Sequence, residues 1–97
     1  MTKKKVIIIG SGISGLSAAY YLYKNFNVKI FEQNEYFGGH THTHTIKINQ
    51  GIVNVDSGFI VFNNFNYKNF IQFIQRLKIK YQISNMSFSV INRQKKY

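Results

Sequence analysis

The sequence predicts an α/β fold that opens with a parallel β-α-β unit and continues into a hairpin and a further helix. Three observations predict it. An apolar run at 6–9 leads directly into closely spaced glycines, a helical pattern follows at 13–24, and a second apolar run ends at Glu32. A strand, a helix and a strand within about 30 residues are typical of a parallel pair joined by a crossover helix. The chain has 97 residues without cysteine or proline, so it is at most one domain and has no disulfide framework.

The first three elements follow from residue type and spacing. Residues 6–9 are apolar and β-branched, which predicts that 5–9 form a parallel strand buried on both faces. In the helix at 13–24, one face carries small side chains near its start, which would let the helix lie close to the sheet. Asn25 is a candidate left-handed terminator of this helix. The second strand is predicted at 28–32. The residues of the helix face are Gly15, Ala18, Ala19 and Leu22.

The later elements are a loop, a hairpin, a helix and a strand. Residues 33–45 have a loop-like composition, and the segments 46–48 and 52–55 predict a hairpin with Gly51 at positive φ in its turn. Asp56, Ser57 and Gly58 are expected to break the second hairpin strand. The apolar spacing at 67–77 predicts a helix with Asn66 as its N-cap. Alternating polar and apolar residues at 86–90 predict a half-buried strand.

The glycine turn after the first strand has the spacing of a diphosphate site. Gly10 allows a tight strand-to-helix turn, Gly12 has no side chain to push phosphates away, and Gly15 lets the helix pack on the strand. The helix N-terminus offers unpaired N–H groups and a partial positive charge. Glu32, at the end of the second strand, is placed to accept both ribose hydroxyls of the adenosine half and to repel a 2′-phosphate. This pattern predicts a site for FAD or NAD in preference to NADP.

Three other interpretations remain open from the residues alone. The glycines are also compatible with ordinary turns, and the turn with Glu32 is equally compatible with an NAD-binding module. The formal net charge is +10, with 13 lysines and arginines against 3 acidic residues, so a small basic nucleic-acid-binding protein is the third alternative. The basic residues, however, are concentrated at the two ends or scattered, and no aromatic residues alternate with a basic stripe. No nucleic-acid partner is therefore expected.

The segment after Glu32 resembles FAD enzymes with the glutathione-reductase-type fold. The resemblance rests on Glu32 followed by the pair Gly38-Gly39 and then His40, and on the segments 56–63 and 86–90. Amine oxidases, protoporphyrinogen oxidases and phytoene desaturases belong to this group. The resemblance implies a partial Rossmann-type domain for FAD or NAD(P), with 1–97 as the N-terminal part of the FAD-binding domain and the substrate domain absent. It implies an FAD-binding segment of an amine-oxidase-like, flavin-dependent oxidoreductase that is truncated and inactive alone.

The resemblance also implies a set of cofactor contacts. The glycine turn would hold the diphosphate, Glu32 would bind the adenosine ribose, and the glycine pair would pass close to the diphosphate and flavin. Segment 56–58 would stand near the flavin ring. Tyr36 and Phe37 occupy positions where the family often has a cation. No catalytic residue is assigned, and a small-molecule substrate is expected only for the full-length parent. The expected FAD contacts are Gly10, Ser11, Gly12, Ile13, Ser14, Gly15, Glu32, Gln33, Gly38, Gly39, His40 and Thr41.

Three further features carry weaker expectations. His40, His42 and His44 alternate, so an extended backbone would place them on one side, but no carboxylate or thiolate stands nearby, and no metal site is expected. Asp56 is interpreted as a turn or cap residue rather than a general base. The basic N-terminus with its short apolar run only loosely resembles a secretory signal, and no segment approaches the roughly 20 apolar residues of a membrane span. A soluble, cytoplasmic protein is therefore expected.

Overall fold

The computed structural model describes residues 2–92, and the chain divides into two compact units between Phe62 and Asn63. The first unit contains two strand pairs and one helix, and the second contains one helix. Residues 93–97, whose basic sequence fits no motif of the resembled family, lie outside the described part of the chain. Neither helix within residues 2–92 is long and apolar enough to cross a bilayer.

The first unit opens with the predicted β-α-β arrangement. Strands β1 (Lys5–Ile9) and β2 (Asn27–Phe31) pair in parallel, and helix α1 (Ile13–Leu22) connects them. The register sets Ile8 beside Ile30, and the N–H of Gly10 donates to the carbonyl of Phe31 at 2.7 Å. The pairing therefore continues into the glycine turn. This confirms the predicted α/β class and a partial Rossmann-type unit.

Helix α1 lies close to β1 because Gly15 has no side chain. A Cβ built on Gly15 would stand 2.1 Å from the carbonyl oxygen of Gly10 and 3.2 Å from Cγ2 of Ile8. The helix ends at Leu22, whose carbonyl accepts from the N–H groups of Asn25 and Phe26, each at 3.0 Å. The prediction of a left-handed Asn25 is wrong, because Lys78 is the one residue other than glycine with positive φ in the part of the chain described.

Within the first unit as described, α1 lies against one face of the sheet of β1 and β2. Ile8 lies against α1, whereas Ile7 and Ile9 on the opposite face are 64% and 81% exposed. The predicted burial of β1 on both faces is therefore wrong for residues 2–92. A continuous apolar run is typical of strands covered on both sides, and here the single crossover helix covers one side.

The hairpin is longer than its apolar residues predict. Strands β3 (Thr41–Ile48) and β4 (Gly51–Gly58) pair antiparallel, and Gly51 has φ +134° in the turn as expected. The predicted break at Asp56 is wrong. Thr43 Oγ1 donates to Asp56 Oδ1 at 2.6 Å across the strands. Cross-strand polar pairs of this kind stabilise a sheet, and a count of apolar residues alone does not detect them.

The second unit is built on helix α2 (Lys68–Arg76), whose Phe73 and Ile74 are buried. The predicted N-cap at Asn66 is wrong: Tyr67 occupies that position without a side-chain cap bond. Instead, Oδ1 of Asn63 accepts from the N–H groups of Phe65 and Asn66. The prediction of a half-buried strand at 86–90 is also wrong, since this segment forms no strand and all five residues are exposed. Alternation alone does not supply a partner strand.

Helix α2 ends in a Schellman arrangement with a strained residue. The N–H of Ile79 donates to the carbonyl of Ile74 at 2.9 Å, and the N–H of Lys78 donates to the carbonyl of Gln75 at 3.0 Å. Lys78 occupies the left-handed position with φ +55°. Glycine is the usual residue there because a Cβ is disfavoured in this conformation.

We expect Lys78→Gly to stabilise the chain by about 1 kcal/mol, because glycine relieves the left-handed strain. The free energy of unfolding in urea measures the effect. Lys80→Gly is the matched control, since Lys80 is exposed, lies outside regular structure and has no positive φ. A gain in stability for both variants, or for neither, would contradict this interpretation of the helix end.

Candidate functional site

The glycine turn places the N-terminus of α1 at the carboxyl end of β1. Gly10 makes the turn with φ +92°, and the first helical bond runs from the N–H of Leu16 to the carbonyl of Gly12 at 3.0 Å. The N–H groups of residues 13–15 therefore precede the hydrogen-bond ladder. The helix has no side-chain cap bond and no acidic residue in its first turn. The N-terminus of α1 is therefore electrostatically suited to bind an anion.

Gly12 is the N-cap residue, and the chain itself does not require a glycine there. Its φ of −69° and ψ of −179° are accessible to every L-residue, and a Cβ built on it would meet no protein atom within 4 Å. The opposite holds for Gly15, where a Cβ would strike the backbone of Gly10. The open space in front of Gly12 lies where the sequence predicts the diphosphate.

Glu32, which directly follows β2, is hydrogen-bonded to the glycine turn. Its Oε2 accepts from the N–H of Ser11 at 2.8 Å and from Ser11 Oγ at 2.5 Å. Its Oε1 accepts from the N–H of Asn34 at 3.0 Å. The Ser11 hydroxyl, followed by the backbone N–H groups of Asn34 and Ser11, lowers the pKa of Glu32 from 4.5 to about 2. The carboxylate is therefore ionised and only accepts hydrogen bonds at neutral pH.

Lowering the pH should reduce the unfolding free energy of the first unit, because Glu32 becomes protonated. Its pKa is lower in the folded chain than in the unfolded chain, so its contribution to stability is complete above about pH 4.5 and is lost as the pH falls toward 2. Urea unfolding at a series of pH values measures this loss. Glu32→Gln should lack this part of the pH dependence, because glutamine does not titrate. Glu35 and Asp56 remain in both proteins, so the difference between the two reports on Glu32. Equal slopes for the two proteins in this window would contradict the prediction.

The glycine pair after β2 lies against the glycine turn. The N–H of Gly38 donates to the carbonyl of Ser11 at 2.8 Å, and Gly38 has φ +108°. Gly39 has φ +58°, and a Cβ built on it would stand 3.3 Å from Cα of Gly12. Thr41 closes this loop, since its N–H and Oγ1 both donate to the carbonyl of Gly38. The two glycine segments and Glu32 therefore surround one place.

The remaining predicted contacts lie around this place with exposed side chains. Ile13 and Ser14 begin α1, and Gln33 directly follows Glu32. His40 is exposed, and its carbonyl accepts from the N–H of Phe59 at 2.9 Å. The sequence did not predict two features of the site. These are the hydrogen bonds between Ser11 and Glu32 and the hydrogen bond that the N–H of Asn34 donates to the Glu32 carboxylate. A serine between two glycines and an acid ending the next strand are the signal that could have suggested the first of these.

The alternating histidines form part of an aromatic stack on the hairpin. His42 stacks between Tyr36 and His44, with ring centroids 4.2 Å and 4.1 Å apart, and His44 Nε2 lies 2.9 Å from Ser57 Oγ. His40 precedes β3 and is not part of the strand face. Within residues 2–92, no group of three histidine or acidic side chains is placed to hold a metal ion.

A shallow depression of about 540 Å³ lies at the other end of the first sheet. Lys5 and Asn27, which begin β1 and β2, line it together with Lys3, Tyr23 and Phe26. Open α/β sheets bind their ligands beyond the carboxyl ends of the strands. The glycine turn, rather than this depression, is therefore the candidate site.

Comparison with known proteins identifies the family. A family model described as an NAD(P)-binding Rossmann-like domain matches residues 8–77. The chain belongs to this family. The match of this Rossmann-like domain contains the glycine turn from Gly10 and also Glu32 and the glycine pair. A dinucleotide-type cofactor is thus its ligand class, and the comparisons give no support to the nucleic-acid-binding alternative.

One relative is a 1-hydroxycarotenoid 3,4-desaturase from Flavobacterium sp. (strain P99-3). It is 58% identical over 40 residues, which is 40% of this chain and 8% of the desaturase. The matching segment therefore represents a small part of that protein's length. Together with the family match, this similarity confirms the resemblance to the oxidoreductase group in which the sequence analysis placed phytoene desaturases.

Proposed function

We propose that this chain is the FAD-binding N-terminal segment of a flavin-dependent oxidoreductase of the amine-oxidase-like class. The observation that carries the proposal is the convergence of the α1 N-terminus, the Glu32 carboxylate and the Gly38-Gly39 loop at the carboxyl end of β1. An unpaired helix N-terminus suits a diphosphate, and an ionised carboxylate suits the ribose of the adenosine half.

The residues present fit this cofactor. The open space at Gly12 leaves room for phosphate oxygens to approach the N–H groups of residues 13–15. The N–H and hydroxyl of Ser11 already bond Glu32, so the diphosphate would depend on the helix N-terminus rather than on Ser11. Gln33, His40 and Thr41 complete the proposed set of contacts. When bound, the flavin supplies hydride and electron transfer.

FAD is favoured over a nicotinamide cofactor by the glycine pair. Gly38 and Gly39 both have positive φ, and their loop is hydrogen-bonded to Ser11. The loop therefore extends the site beyond the turn and the acid that an NAD module needs. Glu32, with its pKa near 2, carries a full negative charge that would repel the 2′-phosphate of NADP.

Catalysis is proposed to lie with further polypeptide in a longer protein. The match to the carotenoid desaturase covers 8% of that protein, and no residue of the described site is placed as an acid, base or nucleophile. We therefore expect the isolated chain to bind cofactor weakly and to turn over no substrate. Residues 1–97 would form the N-terminal part of the FAD-binding domain.

Equilibrium binding of FAD, NADH and NADPH by the purified chain tests this proposal. We expect quenching of flavin fluorescence that saturates with added chain, weaker binding of NADH, and the weakest binding of NADPH. Glu32→Gln should reduce the preference against NADPH, because it removes the charge. A chain that binds NADH but not FAD would favour an NAD-binding module, and a chain that binds none of the three would contradict the proposal.

A further inference from the structure

We propose that Ser11 is a positioning residue that fixes the Glu32 carboxylate so that Oε1 alone receives a ribose hydroxyl of the cofactor. This inference rests on the proposed function, because it concerns how the same site holds the adenosine half. It assigns the Ser11 side chain to Glu32 rather than to the diphosphate. It also limits how many ribose hydroxyls the acid can accept.

The hydrogen bonds of the Glu32 carboxylate are unequally distributed over its two oxygens. Oε2 already accepts two, from the N–H and the hydroxyl of Ser11, and Oε1 accepts one from the N–H of Asn34. An ionised carboxylate has about four acceptor sites, two on each oxygen. Three are therefore used within the chain, and the remaining site is on Oε1. One ribose hydroxyl can bond there without displacing a protein donor.

Ser11 is fully buried. Its carbonyl accepts from the N–H of Gly38, and it stands between Gly10 and Gly12 in the turn. A buried hydroxyl that left Glu32 would lose its acceptor without gaining water, which is unfavourable. Ser11 should therefore keep its bond to Oε2 while a ligand binds.

The two donors of Ser11 limit the rotation of the Glu32 carboxylate. Glu32 has a flexible side chain, and two donors from one buried residue restrain the same oxygen. Without the hydroxyl, one donor on Oε2 would remain and the carboxylate could rotate. A group that is already oriented binds its ligand without a further loss of side-chain entropy. Ser11 thus affects the ribose through Glu32.

A titration of Glu32 tests the positioning role without any ligand. The chain contains two glutamates, Glu32 and Glu35, so labelling the glutamate carboxyl carbon with ¹³C gives two signals, and Glu35 serves as an internal reference. In the intact chain, Glu32 should titrate near pH 2. Ser11→Ala should raise its pKa, whereas Ser17→Ala should not, because the Ser17 hydroxyl donates to the carbonyl of Ser14 in the helix. An unchanged Glu32 titration in Ser11→Ala would overturn the inference.

Binding of ADP and its two deoxy analogues tests the assignment of one hydroxyl. The intact chain should bind either 2′-deoxy-ADP or 3′-deoxy-ADP roughly tenfold more weakly than ADP, and the other analogue nearly as well as ADP. Ser11→Ala should weaken ADP binding by a similar factor, and Ser17→Ala should not. Equal losses for both analogues would overturn the inference.

The Glu32 titration and the ADP-binding experiment distinguish a failure of this inference from a failure of the proposed function. If the intact chain binds neither ADP nor FAD, the proposed function fails, and the Glu32 titration still decides whether Ser11 orients the carboxylate. If Ser11→Ala does not fold, the comparison of the two deoxy analogues on the intact chain still decides how many hydroxyls Glu32 accepts.

Discussion

Replacing Gly15 with alanine is expected to unfold the β-α-β unit or to destabilise it by about 3 kcal/mol or more. The added methyl group would stand 2.1 Å from the carbonyl oxygen of Gly10, and backbone at that distance must move. Moving α1 outward would also disturb the turn, whose Gly10 N–H is bonded to Phe31. Urea unfolding followed by circular dichroism measures the loss.

The matched control for this substitution is Gly12→Ala, three residues earlier. There the new methyl group would meet no protein atom, and the backbone angles suit alanine. The two variants add the same group to the same turn. Similar stability for Gly15→Ala and Gly12→Ala would show that α1 does not lie as close to β1 as described.

The second large effect is expected on binding rather than stability. Gly12→Ala should reduce FAD affinity at least about 100-fold, because the methyl group would occupy the space proposed for the diphosphate. Its unfolding free energy should change by less than about 1 kcal/mol, because alanine is a poorer N-cap than glycine but offsets this by restricting the unfolded chain. Flavin fluorescence titration and urea unfolding provide the two measurements.

Ser17→Ala is the control for this binding experiment, because Ser17 lies on α1 outside the proposed contacts. It should bind FAD as the intact chain does. If Gly12→Ala also retained full affinity while remaining folded, the diphosphate could not lie in front of Gly12, and the proposed site would be wrong.

The parts of the fold that the sequence predicts well are those determined locally. Strand β1 has the predicted bounds, and α1 and β2 differ by two residues or fewer at each end, because apolar runs and helical spacing are properties of neighbouring residues. Gly51 at positive φ follows from turn chemistry in the same way. The placement of Glu32 beside the turn follows from the parallel register.

The parts that the sequence did not predict depend on distant partners. Asp56 extends β4 because Thr43 faces it on the other strand. Segment 86–90 alternates as a strand would, yet it forms none, because alternation does not determine whether a partner is present. The Ser11 hydroxyl bonds a carboxylate 21 residues away, a partner that the spacing of the glycine turn does not indicate. In each case the outcome depends on a residue that spacing alone does not identify.

The bond between the carbonyl of Ser11 and the N–H of Gly38 has a consequence for ligand recognition. It joins the two glycine segments through the chain's own backbone, and Glu32 is hydrogen-bonded to the same serine. A binding surface that is preorganised in this way loses little conformational entropy on complex formation. Recognition of the nucleotide should then resemble docking onto a rigid template more than induced fit.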